Sequence, residues 1–154
     1  MEKEVQLKFW KAFADSPFIM MKLDDAPGHS EPMTAQLDKD AHHAIWFFTK
    51  RDNRLAPGGT AMGQVVTEDH EVFACLAGTI SEETDKAVWD EHWDRHAAAW
   101  FPDGREDPNV MMLRFDISDS EVWTVDPSLV GKFKLMTGMK IDADEVGDYA
   151  KGPV

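Results

Sequence analysis

The sequence has little cysteine and no long apolar segment. Cys75 is the single cysteine among 154 residues, so an intramolecular disulfide is excluded and a buried structural thiol is the simplest role. No apolar run approaches the roughly 20 residues that a membrane helix needs. The first ten residues, MEKEVQLKFW, do not read as a signal peptide. We therefore expect a cytoplasmic protein that does not enter a membrane.

Positive charge is also scarce. Sixteen Lys and Arg face 29 Asp and Glu, for a formal net charge of −13, which argues against nucleic acid or an anionic membrane as a partner. The sequence has no Gly-rich loop of the Rossmann or P-loop type and no nucleophile elbow around a serine. With 43% hydrophobic residues, the chain is expected to be one globular domain spanning 1–154, with enough length for a sizeable core.

Against this acidic background, residues 44–54 (AIWFFTKRDNR) stand out. The apolar first half is rich in aromatic residues and predicts a short buried strand. The strand ends at Thr49 and is followed by Lys50, Arg51 and Arg54. A hydroxyl group and guanidinium groups at the exit of a strand suit a phosphate, because the planar fork of Arg donates two parallel hydrogen bonds. The alternative is a solvated loop that happens to be basic.

Hydrophobic periodicity and turn residues predict a mainly β fold with flanking helices. The expected strands cover 18–23, 32–37, 44–49, 63–67, 72–80, 110–117 and 121–126, with a bulge at Gly78. The expected helices cover 2–15 and 81–99, the second capped by Ser81; 129–141 is a short helix or coil. The acidic tail from about 142 is expected to fray. A mostly antiparallel set of this size favours a small closed or nearly closed barrel.

Two histidines have the spacing of a metal-binding pair. His92 and His96 lie four residues apart on the second predicted helix, with Asp85 on the same side, and this spacing can chelate a metal. However, the sequence HWDRH is not the HExxH of zinc proteases, and no third ligand is evident. We therefore expect no metal site and assign structural roles to both histidines, beside a stripe of Trp side chains.

Several motifs in this order resemble one family. They are SEPMTAQL, AIWFFTKRDNR, a long strand ending in Gly, AWFPDGREDPN and EVWTVD. Across roughly residues 5–140 the chain resembles the general stress protein branch of the pyridoxamine-5′-phosphate-oxidase-like, FMN-binding split barrels. The resemblance implies a split β-barrel that forms a homodimer and holds a flavin, FMN or FAD, at the subunit interface.

The resemblance also assigns residues to the cofactor site. They are Pro32, Met33, Thr34, Phe47, Phe48, Thr49, Arg54 and Trp123. Lys50 and Arg51, which come from the basic pattern after the strand and not from the resemblance, are expected to act as further phosphate ligands. In the family, the first three match a strand along the isoalloxazine ring and the next three match a second strand that faces the flavin. Arg54 matches a phosphate-binding Arg, and Trp123 matches an aromatic residue that the partner subunit contributes.

The chain departs from the family pattern at four places, one of which is the interruption of the helix after Arg54 by residues 57–59. Glu31 stands where the family often has Arg, and Leu55 stands where a basic residue is common. No Arg or His follows Arg114, so oxidation of pyridoxamine phosphate, which needs such residues near the C-terminus, is disfavoured. Three functions stay open: a flavin-dependent oxidoreductase of unknown substrate, a flavin-binding stress protein without turnover, and a split barrel that binds no flavin.

Overall fold

The structure is a computed structural model and describes residues 1–126 and 147–154. The helices are α1 (Lys3–Asp15), α2 (Lys86–His92) and α3 (Arg95–Ala99). The strands are β1 (Phe18–Leu23), β2 (Glu31–Thr34), β3 (Ala44–Lys50), β4 (Gly59–Val66), β5 (Val72–Glu83), β6 (Val110–Thr124) and β7 (Tyr149–Lys151). The helix or coil expected over 129–141 lies outside the described residues. Within them, no helix is both long and apolar enough to span a membrane.

All strand pairs are antiparallel and form one sheet in the order β2-β1-β4-β5-β6-β3, with β7 added beside β6. Gln36, just beyond β2, forms a bridge with Trp46 of β3. The two ends of the strand order therefore meet, and the sheet nearly closes on itself. The predicted mainly antiparallel β fold with flanking helices is confirmed.

Helix α1 packs against β5 and β6 through one apolar face. Val5, Phe9 and Phe13 recur every four residues and are buried together with Trp10. The rings of Phe9 and Phe13 stack with centroids 5.6 Å apart. The helix predicted over 2–15 is confirmed, because a stripe at this spacing can be buried only along one side of a helix.

The pairing of β5 with β6 contains the predicted bulge at Gly78. The register shifts between Ala77 and Gly78, and a Cβ on Gly78 would lie 2.0 Å from the carbonyl oxygen of Asp116. Only glycine allows the two strands to approach this closely. Past the bulge, β6 keeps pairing with β5, and its two halves gain different second neighbours, β3 and β7.

The separate strands predicted at 110–117 and 121–126 are wrong, because β6 is continuous through the polar sequence SDS. Asp119 and Ser120 pair with Ala77 and Leu76 of β5. The Ser120 hydroxyl donates to the carbonyl oxygen of Gly152. Cross-strand partners thus satisfy the polar groups that suggested a turn.

The single helix predicted over 81–99 is also wrong. Ser81 belongs to β5, which continues to Glu83 because β6 offers partners there. Two short helices follow. Asp85 caps α2 by accepting from Ala87 N, and Asp94 caps α3 by accepting from His96 N and Ala97 N. Trp93, which ends α2, and Asp94 both have extended backbone angles, so the first helix stops before the second begins.

Smaller corrections concern strand ends and the tail. β2 ends at Thr34 rather than at 37, and β4 begins at Gly59 rather than at 63. The tail predicted to fray is ordered over 147–154, where β7 pairs with β6. Ala150 and Val154 are buried in the main core. Burial of these two apolar side chains stabilises the end of the chain against the fraying that its acidic composition predicted.

Alanine substitutions at two buried strand glycines test the bulge. At Gly78 the new Cβ meets backbone atoms of Asp116, whereas at Gly63 it meets the side-chain ends of Ile19 and Met21. Gly78→Ala should therefore lie at or above the upper end of the overpacking cost of about 1–3 kcal/mol, and Gly63→Ala near its lower end. Urea unfolding of both variants measures the difference. An equal or smaller loss in Gly78→Ala would contradict a close backbone approach.

Candidate functional site

A pocket of about 260 Å³ lies between strands β2 and β3 on one side and α3 with the residues that follow it on the other. Its lining residues are Pro32, Met33, Thr34, Gln36, Phe48, Thr49, His96, Ala97, Trp100 and Phe101. β2 and β3 supply one wall, and the segment 96–101 supplies the other. Half of this lining belongs to the set that the family resemblance implied, drawn from two segments that are separate in sequence.

The last residues of β3 divide between the pocket and the core. Phe48 and Thr49 line the pocket, whereas Phe47 is 0% exposed and belongs to the main core. Phe47, which the resemblance placed beside a flavin, therefore packs inside the barrel and is not part of the pocket lining.

An aromatic cluster fixes the second wall to β3. The ring of Phe48 makes edge contacts with Trp89 and Trp93, at centroid distances of 5.3 and 5.0 Å. Trp93 in turn lies 5.9 Å from Phe101, which lines the pocket. Trp100, beside it, is 74% exposed at the pocket edge. The Trp residues expected to form one helical stripe thus divide between packing and the pocket.

The three cations at and after the end of β3 have different surroundings. Lys50 is exposed at the strand end. Arg51 donates to the carbonyl oxygen of Pro108 and pairs with Glu82 at 3.0 Å. Arg54 donates to the carbonyl oxygen of His29 at 2.8 Å. The arginines of the predicted phosphate site therefore occupy two separate places and have different partners.

Arg54 is linked to the pocket lining, because it pairs with Glu31, the residue that precedes Pro32. Its Nε is 3.2 Å from Oε2 of Glu31. The other carboxylate oxygen, Oε1, is buried without a hydrogen-bond partner in the described part of the chain. Leu55, the second departure from the family pattern, is 0% exposed in the core. At these positions the chain has a carboxylate and a core side chain where the family commonly has cations.

Trp123 lies on the far half of β6, outside the pocket lining. Trp123 is 41% exposed, and its ring packs against that of Tyr149 with centroids 5.4 Å apart. The strand register places Val66, Phe73, Trp123 and Tyr149 in one row across four strands. This row lies on the outer face of the sheet, where Val66, Trp123 and Tyr149 are exposed.

The two histidines of the HWDRH sequence lie in different places. His96 lines the pocket. His92 is buried, stacks on Trp46 at 5.1 Å and lies 2.9 Å from Asp38. Asp85 serves as the cap of α2. The helical spacing that suggested a chelating pair therefore does not operate, because the helix is interrupted between them.

Comparison with known proteins decides the family. The model of the family described as pyridoxamine 5′-phosphate oxidase like matches residues 4–146. The chain belongs to this family. No curated protein matches it.

Solved structures agree with the family. A Jannaschia sp. CCS1 protein assigned to general stress protein 26 is 27% identical with a TM-score of 0.80, over 98% of this chain and 99% of that one. The general stress FMN/FAD binding protein of Xanthomonas citri is 39% identical with a TM-score of 0.75, over 82% and 93%. A general stress family protein of Xanthomonas campestris pv. campestris is 39% identical with a TM-score of 0.76, over 84% and 92%.

The expected membership of the general stress protein branch is confirmed by these likenesses, and so is the split-barrel fold. The pocket lies where β2 and β3 approach at the near-closure of the barrel. The sequence reasoning missed the second wall, from His96 to Phe101. Its signal was the AWFPDG motif, which contains Trp100 and Phe101 but by itself does not show which strand it faces.

Two tryptophans test how the second wall is held. Trp93 contacts three aromatic rings, so Trp93→Ala should lower the free energy of unfolding by about 2–4 kcal/mol. Trp100→Ala removes an equally large but exposed side chain and should stay within about 0.5 kcal/mol of the wild type. Urea unfolding gives both values. Equal losses would mean that the exposed Trp100 also anchors the wall.

Proposed function

We propose that this pyridoxamine 5′-phosphate oxidase-like chain binds FMN in the pocket between β2, β3 and α3, with FAD as the second choice. The observation that carries the proposal is the convergence of Pro32, Met33, Thr34, Phe48 and Thr49 on one pocket. Support comes from the family and from the Xanthomonas citri relative, which is an FMN/FAD binding protein.

The lining suits a flat aromatic ligand with polar edges. Phe48, Trp100 and Phe101 provide apolar surface, and Thr34, Gln36 and Thr49 provide hydrogen-bonding groups. A few placed polar groups in a mainly apolar pocket are what fix a ligand's orientation. In this proposal the strand residues hold the ring system, and the wall from His96 to Phe101 excludes water from one side.

A bound flavin would supply hydride and electron transfer, and the protein would supply position and protons. His96 is the titratable side chain among the pocket residues, so its imidazole is the group available to give or take a proton there. We propose an oxidoreductase of unknown substrate on this basis. A flavin-binding protein without turnover is the alternative, and repeated oxidation of NADH or NADPH by the flavin-loaded protein would separate the oxidoreductase from it.

Arg54 is the proposed phosphate ligand, and Glu31 opposes it. An FMN phosphate carries about −1.5 to −2 charge near neutral pH. Glu31 already pairs with Arg54 and keeps one oxygen buried, so phosphate must compete with a carboxylate for the same guanidinium group. This pairing is the observation that favours the flavin-free alternative, and it makes the phosphate the weak point of FMN binding.

We further propose that the protein works as a homodimer. The pocket of a single chain, about 260 Å³, is below the roughly 300–1,000 Å³ of most ligand sites. Trp123, which the family resemblance assigns to the partner's site, is exposed on an apolar row of the outer sheet face. An isologous contact that sets this row of each chain against the pocket of its partner would cover both rows and complete both pockets.

The phosphate assignment is tested with FMN and riboflavin titrations of three proteins. Arg54→Ala should weaken FMN binding by about 1–2 kcal/mol, since the pair is half exposed and screened by solvent. Glu31→Gln removes the competing charge but keeps a hydrogen-bonding group, so it should strengthen FMN binding by about 1 kcal/mol. Riboflavin, which has no phosphate, should bind all three proteins alike.

The outcomes separate the possible errors. Equal losses for FMN and riboflavin in Arg54→Ala would mean that Arg54 supports the fold instead of the phosphate. If both variants bind FMN as tightly as the wild type does, the phosphate would be assigned to Lys50 or Arg51 instead. If neither flavin binds any of the proteins, the flavin-free alternative is correct.

The homodimer is tested through Trp123. The wild type should show a dimer mass in light scattering at micromolar concentration. Trp123→Ala should weaken the dimer by about 2 kcal/mol or more, as for a buried interface Trp, and should weaken flavin binding with it. Leu7→Ala, which truncates an exposed apolar side chain on α1, is the control and should change neither. A monomeric wild type would remove the shared site.

A further inference from the structure

A second group of polar side chains lies outside the pocket lining. Asp38, in the loop between β2 and β3, meets Glu91 and His92 at the end of α2. One ligand atom from each lies within 4.8 Å of the others. The group brings together a nitrogen and two oxygen donors from segments more than fifty residues apart. None of these three residues lines the pocket proposed for flavin, so that pocket does not account for their proximity.

His92 is the fixed member of the group. Its side chain is only 6% exposed, and its ring stacks on Trp46 with an interplanar angle of 26°. This stacking aims Nε2 at Oδ1 of Asp38, 2.9 Å away. A polar ring that is buried and oriented in this way presents its nitrogen to the carboxylates at the surface, where an ion can enter.

The spacing suits a divalent ion. Zinc bonds of about 2.0–2.2 Å at tetrahedral angles place neighbouring ligand atoms roughly 3.3–3.6 Å apart. Asp38 and His92 would need to separate by a few tenths of an ångström, with the ion taking the place of the proton between them. Glu91 is exposed, so its carboxylate is free to move inward and complete the set.

We propose that Asp38, Glu91 and His92 form a binding site for one Zn²⁺ ion per chain. Three protein ligands with one imidazole and two carboxylates leave the fourth position to water. The two carboxylates neutralise the charge of the ion, and imidazole favours zinc over magnesium or calcium. The bound ion would join the loop after β2 to α2. None of its three ligands lines the pocket, so zinc binding does not require a flavin.

The neighbouring Asp90 provides a matched control. It lies beside Glu91 on α2 but pairs with Arg105 and is not in the group. Asp90→Asn changes the net charge by the same amount as Asp38→Asn or Glu91→Gln. The measurement is calorimetric titration of ZnCl₂ into full-length protein that has been treated with EDTA and carries no histidine tag. Thermal unfolding with and without zinc supplies a second readout.

The wild type should bind one zinc per chain, and its melting temperature should rise with zinc, because an ion that binds only the folded state stabilises it. Asp38→Asn and Glu91→Gln should each weaken zinc binding by about tenfold or more, and His92→Gln should do the same. Asp90→Asn should leave the affinity unchanged. Absence of stoichiometric zinc in the wild type would overturn the proposal. Equal affinity in all variants, or an equal loss in Asp90→Asn and Asp38→Asn, would overturn it as well.

Discussion

The pairing of β5 with β6 is the constraint on which the rest of the molecule depends. It continues through twelve residue pairs with one shift at Gly78. The shift allows a strand of fifteen residues to lie along β3 with one half and along β7 with the other. A carbonyl of Asp116 occupies the space that a side chain at Gly78 would need. The pocket edge of β3 and the outer row around Trp123 are therefore positioned by the same strand.

The excess of negative charge limits where this protein can bind an anion. In a chain of net charge −13, arginines are few, and carboxylates bind most of them. The ion pairs are Arg51 with Glu82, Arg54 with Glu31, Arg105 with Asp90, and Arg114 with Asp116. An anion that approaches one of these four arginines must displace a carboxylate. A basic cluster in the sequence of an acidic protein therefore does not by itself indicate an anion site.

Local patterns predicted the parts of the fold in which neighbours in sequence determine the structure. The stripe of α1 and the alternation of β1 are of this kind. Ser81 failed as a helix cap because its backbone pairs across the sheet with Arg114, a partner that no local pattern contains. The tail failed for the same reason, since Ala150 gains its burial from β6 and the core.

In the candidate site, too, some residues could be predicted from the sequence and others could not. The resemblance named Phe47, Phe48 and Thr49 together, and this set was available from the sequence, but Phe47 lies in the main core and only the other two line the pocket. The wall from His96 and the approach of Asp38 to His92 were not available, because each joins segments that only the closed barrel brings together. The consequence for ligand binding is physical. In the proposed site, contacts with a flat apolar ring would depend on the aromatic wall and not on charge. Contacts with a phosphate would depend on Arg54, which Glu31 already pairs. The two contributions would then be separable, so a ligand's ring and its phosphate would be recognised with independent strength.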